Sequence, residues 1–206
     1  MLYEYISSNY KAGEPIFFSD LLNDSNNKYS LSKGLNALVS ENKINKFEDG
    51  IYYLPKKTLL KDFLMSSELV AKYKYISNDK EIYGYYSGLY LANKLGITSQ
   101  VPSIIEIVTN RTNSSQRIVE IKNHRFYIKP SKVEINKDNV YVVQLLDLLK
   151  DIEKYDEYPT NYIRDRIKKY VHIYGIKKTD IEKYVTFFPI GIYKNFYDLR
   201  LYDVFA

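Results

Sequence analysis

The stretch "GYYSGLYLANKLGITSQVP", residues 84–102, contains three glycines and three tyrosines but no cysteine, histidine or acid. A catalytic loop needs an acid–base pair, or a nucleophile with a base beside it, and this stretch has neither. Its composition is that of a scaffold. Tyr85, Leu89 and Ala92 or Asn93 share a face at helical spacing, which predicts a helix over Gly84–Leu95. Gly88 is small enough to admit a close neighbour. Gly96 stands where a helix takes a left-handed residue after its last turn, with Ile97 folding back onto that turn. "TSQVP" then reads as an exit loop containing Gln100, in which Pro102 forces Val101 to be extended.

C-terminal to this motif, "SIIEIVTN", "QRIVEI" and "HRFYIKP" alternate like strands. They predict a small antiparallel sheet carrying Arg111, Arg117, Lys122, Arg125 and Lys129, with basic exposed faces. N-terminal to it, "KKTLLKDFLMSSELVAKYKYI" has the pattern of a linker helix over 58–76, with Leu60, Phe63 or Leu64, Val70 and Ala71 inward.

The first block contains the remaining fold signal. "LYEYISSNY" and "FFSDLLNDS" read as short helices, the second with Leu21 and Leu22 inward, and "NNKY" as a turn. In "SLSKGLNALVSEN", Leu31, Leu35, Leu38 and Val39 form one helical face. Ser30 is placed to cap that helix, and Ser32, Lys33, Asn36 and Ser40 form its polar face. "KINKFEDGIYYLP" places two β-prone runs around Asp49-Gly50, a favoured hairpin turn. Three helices and a hairpin make the order of a winged helix-turn-helix, whose third helix enters the major groove. Asn36 offers an amide that can pair with adenine, and Lys28, Lys33 and Lys46 offer charge to phosphates or guanine. The same order also occurs in protein-interaction modules.

Charge bears on both readings. The chain has 206 residues and net charge +5. Residues 1–57 hold seven lysines against seven acids, whereas 110–137 hold seven basic residues against two acids. Arg117, Arg125 and Lys129 are therefore added to the candidate DNA contacts, as a non-specific surface. The wing tip, Glu48-Asp49, would repel a phosphate backbone.

Composition excludes several chemistries. With no cysteine, there is no disulfide, thiolate metal site or cysteine nucleophile. His124 and His172 are the only histidines, which disfavours a metal site or a Ser-His-Asp triad. No cofactor or metal is expected. There is no apolar run long enough to span a membrane and no signal-peptide pattern at the N-terminus, so the expected location is the cytoplasm. No P-loop or other Gly-rich phosphate loop is present.

The tail reads as helices. "NVYVVQLLDLLKDIEKY" has Val142, Leu145, Leu146, Leu149 and Ile152 inward. Asp147, Lys150, Asp151 and Lys154 are expected on a solvated face of alternating sign. Thr160 is placed to cap "NYIRDRIKKYVHIY", which ends at Gly175, and "TDIE" at 179–182 reads as a capping box. Arg164, Arg166, Lys168 and Lys169 form a second basic cluster. The expected fold class is α+β: a winged helix-turn-helix over 1–57, then a mixed domain over 58–206. That domain comprises the linker helix, helix and sheet over 82–130, and a helical tail over 139–206.

Two segments resemble the AbiEi-type antitoxins of abortive-infection toxin–antitoxin pairs, over about residues 1–150. One is "KINKFEDGIYYLP", similar to that family's hairpin ending. The other is "GYYSGLYLANKLGITSQVPSIIEIVTN", similar to its small-residue helix, turn and strand. The resemblance implies a cytoplasmic transcription factor that represses its own operon by binding promoter DNA. It also implies that the C-terminal domain counteracts a nucleotidyltransferase-type toxin without forming a stable complex. Two other readings stay open: an interaction module that neutralises a toxin by contact, and an enzyme that modifies the toxin.

Overall fold

The structure, a computed structural model, describes residues 1–24, 27–57, 63–112, 115–155 and 157–204. The chain is α+β and divides into two compact units, Met1–Val70 and Ala71–Ala206. The division falls inside the helix Ser67–Tyr75, later than the expected join at residues 57–58.

The first unit runs α1 (Leu2–Asn9), β1 (Pro15–Phe17), α2 (Phe18–Asp24), α3 (Lys28–Ser40), β2 (Asn45–Glu48) and β3 (Ile51–Tyr53). Strands β2 and β3 form the expected hairpin around Asp49-Gly50. Strand β1 is a correction, because the sequence around it reads as the start of a helix. Ile16 lies opposite Tyr52 in an antiparallel ladder that puts β3 in the middle of the sheet. That partner is remote in sequence, so no local pattern announces it. The leucines of α3 behave as expected: Leu31, Leu35 and Leu38 are buried against Ile6, Ile16, Leu21 and Ile44, with Val39 packing alongside. The cap of α3 differs from expectation. Asn27 caps the helix, its side-chain oxygen accepting from the Ser30 N–H at 3.0 Å. Lys28 and Tyr29 are therefore already helical rather than part of a turn.

Helix α4 (Ser67–Tyr75) begins where Ser66 Oγ accepts from the Leu69 N–H, at 3.1 Å. The expected helix from residue 58 is thus shorter. Val70 and Ala71 are buried, Leu64 is exposed, and residues 58–62, including Leu60, lie outside the described residues.

The second unit holds a four-stranded sheet of β4 (Gly84–Ser87), β5 (Ile104–Thr109), β6 (Arg117–Ile121) and β7 (His124–Pro130), in the order β4–β5–β7–β6. Two expectations are corrected here. First, the sheet is mixed: β4–β5 and β6–β7 are antiparallel, but β5 and β7 are parallel. The β6–β7 hairpin inserts its second strand beside β5, and that fixes the direction. Second, residues 84–87 are strand, and only Gly88–Lys94 is helix, α5. The ladder with β5 makes residues 84–87 a strand, and Gly84 permits the close approach this requires. A Cβ there would lie 2.1 Å from the Tyr75 carbonyl oxygen and 2.7 Å from that of Val108. At Gly88, where the strand turns into α5, φ is +60° and a Cβ would lie 2.5 Å from the Glu106 carboxylate.

The end of α5 matches expectation. Gly96 is left-handed at φ +69°, its N–H donates to the Asn93 carbonyl at 2.9 Å, and the Ile97 N–H donates to that of Ala92 at 2.9 Å. Ile97 is fully buried. The following turn is held by Glu157, whose carboxylate accepts from the Ser99 N–H at 2.8 Å, from Ser99 Oγ at 2.9 Å and from the Gln100 amide. The Ser99 N–H, then Gln100, hold the Glu157 carboxyl down to about 2, well below its ordinary value near 4.5. A depressed carboxyl stabilises the fold above its unfolded-state value and loses that stabilisation as pH falls through its folded one. Wild type should therefore hold an advantage over Glu157→Gln at neutral pH, and that advantage should shrink between about pH 4.5 and 2. Denaturant titrations of both proteins across this range check it; a gap that does not change with pH contradicts it.

The helices α6 (Val140–Lys150), α7 (Thr160–Tyr174), α8 (Lys178–Tyr184) and α9 (Ile192–Asp198) complete the unit. Helix α6 is its centre, with Val142, Leu145, Leu146 and Leu149 buried as expected, but also Val143 and Leu148. A helix apolar on nearly all sides belongs inside a fold. The caps of the later helices are corrected. Pro159, not Thr160, precedes α7, and α8 starts at Lys178, with Asp180 accepting from the Lys177 N–H at 2.9 Å. Helix α7 ends at Gly175, as expected, and the structure shows that residue in a left-handed conformation.

Candidate nucleic-acid interface

Helix α3 turns its leucine face to the core, and the 3.6-residue period then leaves a polar stripe outward. Lys33 and Asn36 are exposed and Ser32 is half-buried. Lys28 is exposed in the first turn. Neither Lys28 nor Lys33 has a carboxylate partner among the described residues. Ser40 Oγ donates to the Asn36 carbonyl at 3.0 Å, so that hydroxyl serves the helix backbone. Tyr29, 80% exposed, continues the stripe and was missed in the sequence because residues 28–29 read as a turn. The signal was present: Tyr29, Lys33, Asn36 and Ser40 are spaced four, three and four apart. A protruding phenol beside a lysine and an amide suits sugar, phosphate and base edges alike.

Lys46, on β2, is a different case. Its ammonium lies 2.5 Å from the Asp49 carboxylate at the hairpin tip. The hydrogen bond between them raises the Lys46 pKa and lowers that of Asp49. An exposed pair of this kind is weak and screened by salt, and the Asp49 carboxylate beside Lys46 offsets its charge toward an external phosphate.

The second set of expected contacts does not form one basic face. Arg117 lies opposite Ile128 across the β6–β7 ladder, while Arg125 and Lys129 alternate to the other face of β7. Arg125 is exposed directly opposite Glu120. Lys129 is paired with Glu106. Arg111 lies over the Tyr83 ring, 3.4 Å from its centroid. The structure thus brings Lys28, Ser32, Lys33 and Asn36 together on one helix and distributes the basic residues of the sheet over two faces.

Two more expectations concern α6 and α7. Asp147 is not on a solvated face: it is 6% exposed, accepts from Ser87 Oγ and pairs with Lys150. Burial pulls the Lys150 pKa down, but Asp147 and Asp151 outweigh it and raise it. Asp151 also pairs with the exposed Lys154 at 2.6 Å. In the basic cluster of α7, Arg164 donates to the Arg200 carbonyl at 3.1 Å and Arg166 to the Tyr162 hydroxyl at 2.5 Å. Lys168 and Lys169 are exposed. Among the described residues, no three His, Asp or Glu side chains converge as a metal site would require.

The profile of DUF6088, described as a family of unknown function, matches residues 2–173. The chain belongs to DUF6088. The DUF6088 match spans the whole first unit, the mixed sheet and helices α4 to α6, and reaches to the last turn of α7. No curated protein matches the chain. No helix among the described residues is long and apolar enough to cross a membrane.

Proposed function

We propose that the chain is a double-stranded-DNA-binding autorepressor that reads its own promoter through α3, and that it is also the antitoxin to a nucleotidyltransferase-type toxin. One observation carries the DNA reading. We read the order helix–strand–helix–helix–hairpin as a winged helix-turn-helix, and Lys28, Lys33 and Asn36 are exposed on its third helix. The antitoxin reading rests on the likeness of the 84–102 motif and its following strand to the AbiEi-type antitoxins. On this reading the protein binds its partners in the cytoplasm, needs no cofactor and is not an enzyme.

The test uses the full chain and its upstream DNA. Replacing Lys33 and Asn36 together by alanine should weaken specific binding by about 1–3 kcal/mol for each base edge that is no longer read. Titration against promoter and scrambled duplexes measures it. In cells carrying the neighbouring toxin gene, the same variant should lose repression of a promoter reporter yet still protect growth. An unchanged footprint would remove α3 from the reading role.

A second reading has its own support. The balanced charge of residues 1–57 and the self-paired wing lysine suit a module that contacts protein instead of DNA. Under that reading the toxin co-purifies with the wild-type chain, and no duplex is preferred over another.

A further inference from the structure

A cavity of about 210 Å³ opens between the mixed sheet and α6, within the second unit. Its apolar wall is made by Tyr85 and Val108 from adjacent strands, Val143 from α6, and Phe188 beyond α8. Tyr85, Val108 and Val143 are themselves buried in the core, so this wall is a rigid part of the fold.

The charged groups on the remaining wall are unequal. Lys129, Lys132 and Lys150 line the cavity, against one carboxylate, Asp147. That carboxylate is already occupied by Ser87 Oγ on one oxygen and Lys150 on the other. An ammonium has three N–H donors. Lys129 uses one on Glu106, Lys150 is shared between Asp147 and Asp151, and Lys132 is exposed with no carboxylate partner among the described residues. Donors are therefore in surplus at the polar end, and an entering group that accepts hydrogen bonds and carries negative charge completes them. The apolar end calls for a flat hydrocarbon body. Size narrows the choice, since a dry cavity of about 150 Å³ holds benzene. The extra volume here suits a ring bearing one carboxylate.

We propose that this cavity is a binding site for a small monocyclic aromatic carboxylate, with the ring against Tyr85, Val108 and Val143 and the carboxylate toward Lys129, Lys132 and Lys150. The proposal concerns the second unit alone and stands whether or not α3 reads DNA.

Benzoate is the probe, with benzamide as its uncharged counterpart and acetate as the anion without a ring. Benzoate should bind the full-length protein saturably in calorimetry, raise its melting temperature, and shift the methyl resonances of Val108 and Val143. Benzamide and acetate at equal concentration should do none of these. Lys132→Glu changes an exposed side chain and should leave the fold intact while weakening benzoate roughly tenfold. Lys132→Arg should keep most of the affinity. The proposal is overturned if benzoate shows no saturable binding, if benzamide or acetate matches it, if Lys132→Glu leaves its affinity unchanged, or if the shifted resonances lie away from the cavity.

Discussion

Replacing Gly84 by alanine is expected to destabilise the unit of residues 71–206 by about 3 kcal/mol or more, and valine is expected to keep it from folding. The clash is with backbone on both sides. The new Cβ would stand 2.1 Å from the Tyr75 carbonyl oxygen and 2.7 Å from the Val108 carbonyl oxygen. Neither can swing away like the end of a side chain. Tyr75 closes α4, and Val108 lies opposite Tyr85 in the β4–β5 ladder. Gly84 cannot retreat either, because its own N–H donates to the Ile76 carbonyl at 3.0 Å. The loss should appear as a fall of more than about 1 M in the urea midpoint of the transition that reports this unit. A Gly84→Ala protein with the wild-type midpoint would show that α4 and β4 are further apart than described.

The second large effect belongs to Asp147. Replacing it alone by leucine should cost about 3 kcal/mol, near the lower end for breaking a buried ion pair. The lower end applies because Lys150 keeps a second partner, Asp151, at 3.5 Å. The same substitution also leaves the buried Ser87 hydroxyl without its acceptor. Replacing both charges, as Asp147→Leu with Lys150→Met, should recover much of the loss, because an apolar pair of similar volume avoids the desolvation cost. A double-mutant cycle in denaturant measures the coupling. If the double variant falls by the sum of the two single ones, Asp147 and Lys150 do not act as a pair, and the reading of this site fails.

These two sites also mark where reading a sequence stops. The helical spacing of Tyr85, Leu89 and Ala92 extends across Gly84–Ser87 by coincidence, and nothing within the stretch contradicts it. What makes those four residues a strand is a ladder partner, β5, that lies beyond the helix and the exit loop. Likewise, "LLDLLKDIEK" places acids and lysines at spacings that suit a solvated helix face. Asp147 is buried because the sheet covers that side of α6, and its partner Ser87 is 60 residues away. The missed strand β1 and the parallel β5–β7 pair have the same origin.

What the sequence determined by itself is whatever is settled within a few residues. The Asp49-Gly50 hairpin, the leucine face of α3, the left-handed Gly96 and the end of α7 at Gly175 all follow from local backbone sterics, local hydrogen bonds and periodic burial. They also determined that Lys33 and Asn36 point outward, since a helix with its leucines inward has only one other side. The tertiary structure alone decided which strands pair, in which direction, and which charges are buried. It placed Asp147 against Ser87, paired Lys129 with Glu106, and set β7 parallel beside β5. Those outcomes depend on contacts between residues far apart in the chain, whose free energy no local pattern contains.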